Sequence, residues 1–307
     1  MPLRATLAAL LVALIWGMNF VVIDAGLEGM PPLLFLAIRF VVVIIPAIFF
    51  VPKPAARWRD IAAIGFFLSL AQFSMLYISL SLGMPPGLAS LVVQGQVVLT
   101  VVFAAMALHE VPTRIQLIGI SVGALGLLII GFGRGGDVAL LAFMCSVGAA
   151  TAWAIGNVLT RRVGRSAPGG TPAPLAGLSM TVWSALVVPI PAFAISMLFD
   201  GPSAVGYALT HLTVPQLLST AYTAWLASLV GYGIWNTLLG KYQASAVVPF
   251  TMLVPVVGIF AAWLVQDEVP TVAELVGGGA LLVGVAITTG LLAQIKRWRM
   301  PQARRLQ

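Results

Sequence analysis

Arg39 interrupts an apolar run that otherwise holds no charge, PPLLFLAIRFVVVIIPAIFFV. A charge in such a setting is expensive and is a functional hypothesis by default. It can attract a substrate carboxylate or serve a gate. Lying about one or two turns from the end of its run, it can equally snorkel, cap carbonyls or act as a structural latch. Two amides pose the same question. Asn19 lies within WGMNF and Asn157 within WAIGN. A buried amide is costly unless paired, so each either faces a cavity or ties helices together. Trp16, Asn19, Phe20 and Ile23 follow the i, i+3, i+4, i+7 spacing of one helical face. Trp153, Asn157 and Thr160 repeat the arrangement, and both tryptophans stand too deep in their runs for an interfacial belt.

Further polar groups recur among aromatics. Ser69, Gln72, Phe73, Leu76, Tyr77 and Leu80 form one stripe; Trp225, Ser228, Tyr232, Trp235 and Asn236 form another. Ser90 and Gln94 share one face, Gln96 and Thr100 a second; one pair is expected to face a cavity and the other a neighbouring helix, with Gln94 favoured for ligand contact. Trp183 is an isolated further candidate. Mostly apolar walls with a few orienting polar groups suit a small amphipathic ligand, although any single aromatic can also be ordinary packing. Pro249 and Pro255 free backbone carbonyls and mark either a gating bend or a static kink.

Other chemistry is missing. Every Asp and Glu falls near the end of an apolar run, and His109 and His211 fall in connections, so no carboxylate proton relay is expected. There is no phosphate-binding glycine loop and no metal-ligand cluster. The single cysteine, Cys145, excludes a disulfide scaffold. His109 and Glu110 are adjacent, but no nucleophile stands beside them. Neither a catalytic group nor a cofactor nor a metal is expected.

The elements that position these residues follow from composition. Of 307 residues, 60% are hydrophobic and 8% charged, against roughly 25% charged in soluble domains. A soluble enzyme and a disordered chain are both excluded. The net charge of +7 does not point to nucleic acid, because the basic residues lie between apolar runs instead of in one patch. The runs cover residues 5–23, 32–51, 61–82, 86–108, 115–132, 138–160, 175–199, 214–238, 243–265 and 272–294. About 20 residues cross a bilayer as helix, and the alternation of a membrane β-barrel is absent. The first run carries no small-residue cleavage site and reads as a span. With a cytoplasmic N-terminus, 14 of the 16 Lys and Arg fall in cytoplasmic segments, leaving Arg134 outside and Arg39 within a span. That asymmetry places both termini in the cytoplasm.

Residues 104–119, AAMALHEVPTRIQLIG, resemble residues 261–277, AAWLVQDEVPTVAELVG. Glu110, Pro112, Gly119 and Gly126 correspond to Glu268, Pro270, Gly277 and Gly284. Five spans therefore repeat as five. Because five is odd, the second copy enters the membrane from the opposite side, the pattern of alternating-access carriers with a site near the midplane. The expected organisation is a first repeat over 1–135, an inverted second repeat over 136–296 and a basic cytoplasmic tail over 297–307. The alternative is duplication without transport.

WGMNFVVI, AIRF, GLASLVVQGQ, WAIGN, GYGIWNTLLG, LVPVVG and the paired E-V-P-T segments together resemble the EamA type of the drug/metabolite transporter superfamily. Within it the chain is similar to bacterial exporters of cysteine and O-acetylserine and to YddG-like exporters of amino acids. The resemblance covers the whole chain. It implies an all-α integral membrane protein of ten helices, a monomeric carrier of the bacterial inner membrane that exports small metabolites. It also implies a central cavity lined by spans one to four and six to nine, with spans five and ten peripheral. The substrate class implied is amino acids or their relatives; the alternative is another class, such as drugs or nucleotide sugars. The proposed cavity residues are Trp16, Asn19, Phe20, Arg39, Phe73, Tyr77, Gln94, Trp153, Asn157, Trp183, Tyr232 and Trp235.

Overall fold

The structure, a computed structural model, describes residues 2–109, 112–133, 138–165, 176–242 and 247–288. The tail 297–307 and Arg134 lie outside those residues, as does the start of the ninth expected span. Every regular element described is helical. In chain order they are α1 (Leu3–Leu27), α2 (Pro32–Ala47), α3 (Trp58–Ser81), α4 (Pro86–Leu108), α5 (Arg114–Gly133), α6 (Leu140–Arg165), α7 (Leu178–Phe199), α8 (Pro202–Thr210), α9 (Val214–Trp235), α10 (Phe250–Gln266) and α11 (Val272–Thr288). Six of them, α1, α3, α4, α6, α7 and α9, are long and apolar enough to cross a membrane. Four more, α2, α5, α10 and α11, are shorter apolar helices. The short α8 follows Asp200 and Gly201, whose positive φ of 84° turns the chain there. Large apolar side chains on the outer faces stay exposed, among them Phe49, Phe132, Ile190 and Phe199. On so apolar a chain, such a surface is the lipid-facing one. This is a multi-pass membrane protein.

The core is continuous through α1, α2, α3, α4 and α6. At its periphery α5 packs on α11 with backbone touching backbone. A Cβ added at Gly126 would lie 2.5 Å from the Gly277 carbonyl oxygen and 2.6 Å from the Leu281 nitrogen. Only a residue without Cβ allows that approach.

Four long helices are interrupted, α7 by a 3-10 turn at Ala185–Val187. π-Helical turns occupy Phe66–Ala71 in α3 and Tyr222–Gly231 in α9. In α4 the α-helix breaks at Gln94, between Pro86–Val93 and Gly95–Leu108. The corresponding break lies at the start of α10: a 3-10 turn at Val248–Met252 gives way to α-helix over Leu253–Gln266. Gly95 and Leu253 lie 158 residues apart, as do Glu110 and Glu268.

The repeat extends to the caps. His109 and Asp267 both close their helices in the left-handed region, at φ 53° and 54°. Beyond each lies a reciprocal cap: Thr113 with Gln116, and Thr271 with Glu274, each pair exchanging two hydrogen bonds of 2.8–3.3 Å. The two copies lie at opposite ends of α4. Thr113 follows its C-terminus, whereas Glu268 accepts a hydrogen bond from Gly87 N–H at its N-terminus, 3.3 Å away. A helix of this length spans about 30 Å.

Candidate functional site

Span one turns its polar face inward. Trp16, midway along α1, meets Tyr232 at 5.0 Å and Trp235 at 5.4 Å between ring centroids. Its indole N–H donates to the Ala227 carbonyl at 3.0 Å. That acceptor is available because the π turn reverts to α at this point. Tyr232 N–H bonds Ser228 and Leu229 and passes over Ala227. The trio forms one wall of a cavity of about 500 Å³, within the range typical of small-molecule sites.

The opposite walls come from the other half-buried polar faces. Trp153, Asn157 and Thr160 project from α6, Gln96 and Thr100 from α4, Ser69 and Phe73 from α3, and Thr181 and Ser184 from α7. Asn157 Nδ2 donates to Gln96 Oε1 at 2.8 Å and to Thr100 Oγ1 at 3.2 Å. Asn157 therefore both lines the cavity and ties α6 to α4. Among the described residues, no lining residue comes from α5 or α11, and none is Asp, Glu or His.

A deeper recess of about 70 Å³ shares Trp16, Phe73, Gln96, Trp153 and Tyr232 with the main cavity. Asn19, Phe20, Arg39, Gln72, Ser90 and Gln94 enclose it. Arg39 is 2% exposed. Its Nη1 donates to the Tyr77 hydroxyl at 3.0 Å and its Nη2 to Ser228 Oγ at 3.1 Å. The guanidinium carbon lies 4.2 Å from the Phe73 ring centroid. Gln94 Nε2 donates to the Thr251 carbonyl at 2.7 Å. Thr251 stands four residues before Pro255, which has no N–H to offer that carbonyl; Leu253 N–H bonds it from within the turn and Gln94 adds a bond from α4.

Two candidates stand elsewhere. Tyr77 is fully buried and lines neither space; it holds Arg39 from behind and packs on Phe35 and Phe73. Trp183 points away from the cavity, donating to the Val51 carbonyl at 3.0 Å and packing 5.8 Å from Trp58. The residues of α7 that do line the cavity are Met180, Thr181 and Ser184. Thr181 and Ser184 are polar, three apart and on one face, a signal the sequence carries beside the bulkier tryptophan. The stripe residue Trp225 is 51% exposed, on the lipid side, and the Asn236 side chain lies outside the description. The expected division of α4 into a cavity pair and a packing pair does not hold. The break at Gln94 re-aims the helix, so Ser90, Gln94, Gln96 and Thr100 all line one space or the other. Pro249 falls in the 3-10 turn and Pro255 just inside the helix after it.

The two ends of the bundle differ. Arg57, Arg59, Arg114, Arg161 and Arg162 mark one end; Asp24, Glu28, Asp267 and Glu268 mark the other. The lining runs to Ile64, Thr160 and Thr181, within about one or two turns of the basic ends of their helices. Toward the acidic end, hydrogen bonds tie α1 to α9 and α10. Gln266 Nε2 donates to Asp24 Oδ2 at 2.7 Å, Gln216 Nε2 to the Glu28 carbonyl at 2.8 Å, and Ser219 to the Val22 carbonyl. Burial pushes the Glu268 carboxyl up from the usual glutamate range. Glu274 and Asp24 add to the rise, and the Gly87 and Leu88 N–H groups oppose it.

The profile of the EamA-like transporter family matches residues 3–132 and again 140–290. A protein of Escherichia coli (strain K12) named "Probable amino-acid metabolite efflux pump" is 39% identical over 293 residues, 95% of either chain. Its namesake in Salmonella typhimurium is 38% identical over 281 residues, covering 91% of this chain and 92% of that one. A solved crystal structure superposes with a TM-score of 0.61 over 97% of this chain and 99% of its own, at 19% identity. That likeness concerns the fold alone.

Proposed function

The chain belongs to the EamA-like transporter family, and from that premise we propose that it exports amino acids or related small metabolites from the cytoplasm by alternating access. The relatives named as amino-acid metabolite efflux pumps support the substrate class. The single observation that carries the reading is the cavity of about 500 Å³ walled by Trp16, Trp153, Tyr232 and Trp235 with Asn157 and Gln96. Aromatic faces take an apolar side chain and the few amides orient a polar head.

The membrane frame is ten spans in two oppositely inserted halves, 1–135 and 136–296, with the tail 297–307 and both termini cytoplasmic in the inner membrane. Support comes from the two matched stretches and from the paired caps at opposite ends of α4. The basic end is then the cytoplasmic one. The cavity approaches that end while hydrogen bonds tie the helices together at the acidic end, the arrangement of an inward-facing carrier. Among the described residues no acid or histidine lines the path, and on that reading the carrier runs downhill or by exchange, without a proton relay through the site.

Counterflow in proteoliposomes across a panel of labelled amino acids and thiol metabolites tests this. At least one amino acid should exchange, and an imposed pH gradient should not be required. Strict dependence on the gradient would refute the coupling scheme; no exchange of any panel member would refute the carrier.

A further inference from the structure

We propose that the recess between Arg39 and Asn19 is a zwitterion anchor: Arg39 takes the carboxylate and Asn19 the ammonium of an α-amino acid, whose side chain lies among the aromatics of the main cavity. The inference rests on the carrier reading above and narrows its substrate to molecules bearing both groups.

Arg39 is 2% exposed and, among the described residues, forms no salt bridge. Its two hydrogen-bond partners, Tyr77 and Ser228, are neutral hydroxyls, and its Nε is buried without a partner. A guanidinium does not shed its charge in proteins. With two hydroxyls and the rings of Phe40, Phe73 and Tyr77 around it but no anion, it bears a desolvation cost that neutral partners offset only in part. A latch between α2, α3 and α9 could be built from a neutral amide at lower cost. The charge is accounted for if an anion visits.

Asn19 supplies the other half. It is 8% exposed, and its Oδ1 is buried without a hydrogen-bond partner. Both residues line the same recess. It is therefore walled by a guanidinium without a counter-ion and by an amide whose acceptor is unmet, groups complementary to a carboxylate beside an ammonium; the unmet Nε and Oδ1 are themselves covered, so a ligand meets them only as the two side chains turn toward it. Unmet groups of this kind are uncommon in buried positions and call for an explanation. The recess, about 70 Å³, is much smaller than the main cavity of about 500 Å³. It admits a compact head group and no large side chain. The shared walls Trp16, Trp153 and Tyr232 then pass the side chain into the larger space. Head-group recognition is in this way separated from side-chain tolerance.

The test is competition against uptake of a labelled amino acid in proteoliposomes of the full chain. The competitors are the same amino acid unlabelled, its amide, which lacks the carboxylate, and its deaminated acid, which lacks the ammonium. In wild-type protein, amide and acid should each compete at least about tenfold more weakly, as loss of a buried charge-assisted bond implies. Arg39→Gln should lower apparent affinity by a similar factor and abolish the preference over the amide, a ratio independent of how much protein folds. Asn19→Leu should do the same for the preference over the acid. An amide that competes as well as the amino acid overturns the Arg39 assignment, and an equally good acid overturns the Asn19 assignment. A folded Arg39→Gln variant that keeps its preference for the amino acid overturns the anchor too. Should that variant not fold, the wild-type competition decides alone. Failure of the carrier reading looks different: wild-type vesicles would take up no amino acid at all.

Discussion

Trp16 and Trp183 show what one side-chain type does in two places. Trp16 donates into a π turn and walls the cavity. Trp183 fastens α7 to the end of α2 through Val51. Trp183 is half-buried, so truncating it costs less than the roughly 3–5 kcal/mol of a fully buried aromatic, but it also loses the bond to Val51. Trp183→Ala should therefore lower the melting temperature in detergent while leaving the KM for exchange unchanged. Trp16→Ala opens onto a space that water can enter. Its melting temperature should fall less, and its KM should rise by about tenfold, the worth of one aromatic wall at roughly 1–2 kcal/mol. Thermal unfolding and counterflow on the same preparations separate the two. Equal effects on KM would remove Trp16 from the site.

At the scale of elements, irregular helix and site coincide. The π turns of α3 and α9 carry Ser69, Ala227 and Ser228, and the break in α4 carries Gln94; all four line the cavity or its recess. π turns and broken helices leave carbonyls that neighbours must satisfy, as Trp16 and Gln94 do here. The pair α5 and α11 takes no part in the lining and packs through glycine. Gly277→Leu would drive a side chain into the Gly126 carbonyl, 2.8 Å from the position of the new Cβ. Its yield of folded protein and melting temperature should drop by more than any cavity variant's, with unaltered KM in the fraction that folds. A thermal melt matching wild type would show that the backbone contact is dispensable.

At the scale of the whole molecule, the proposed carrier makes the acidic end its gate, and Glu268 is then its titratable latch. Burial raises its carboxyl above the usual value of 4.5 in the closed state; once opened to water it should fall back toward that value. The closed state thus binds the proton more tightly. Its advantage is complete below the hydrated value and is lost as pH rises through the raised one. Acidification from neutral pH should therefore favour closure, and Glu268→Gln should hold the gate shut at neutral pH. Labelling a cysteine placed at Val272, which is 77% exposed, should be insensitive to pH in that variant background if the latch is the only titrating group there. Applied from the two sides of the membrane, the same reagent should reach cysteines at Arg114 and Val272 from opposite faces. Labelling from one face would dissolve the inverted repeat.

The amino-acid sequence by itself determined the class of the protein, its apolar helices and the recurrence of E-V-P-T, because lipid permits few backbone solutions and hydropathy reports them directly. It also marked Asn19, Arg39 and Asn157, since polar groups in apolar runs need partners wherever the chain puts them. Which partner each one found was decided by packing. Helical spacing assigns a side chain to a face only while the helix stays regular, so the break at Gln94 brought all four polar residues of α4 to the cavity. Spacing also cannot say which neighbour a face meets. Tyr77 went behind Arg39 and Trp183 toward Val51, while Thr181 and Ser184 took the wall. The surplus donor on Arg39 and the surplus acceptor on Asn19 are differences between what a group offers and what surrounds it, and only the folded arrangement of distant segments sets that difference.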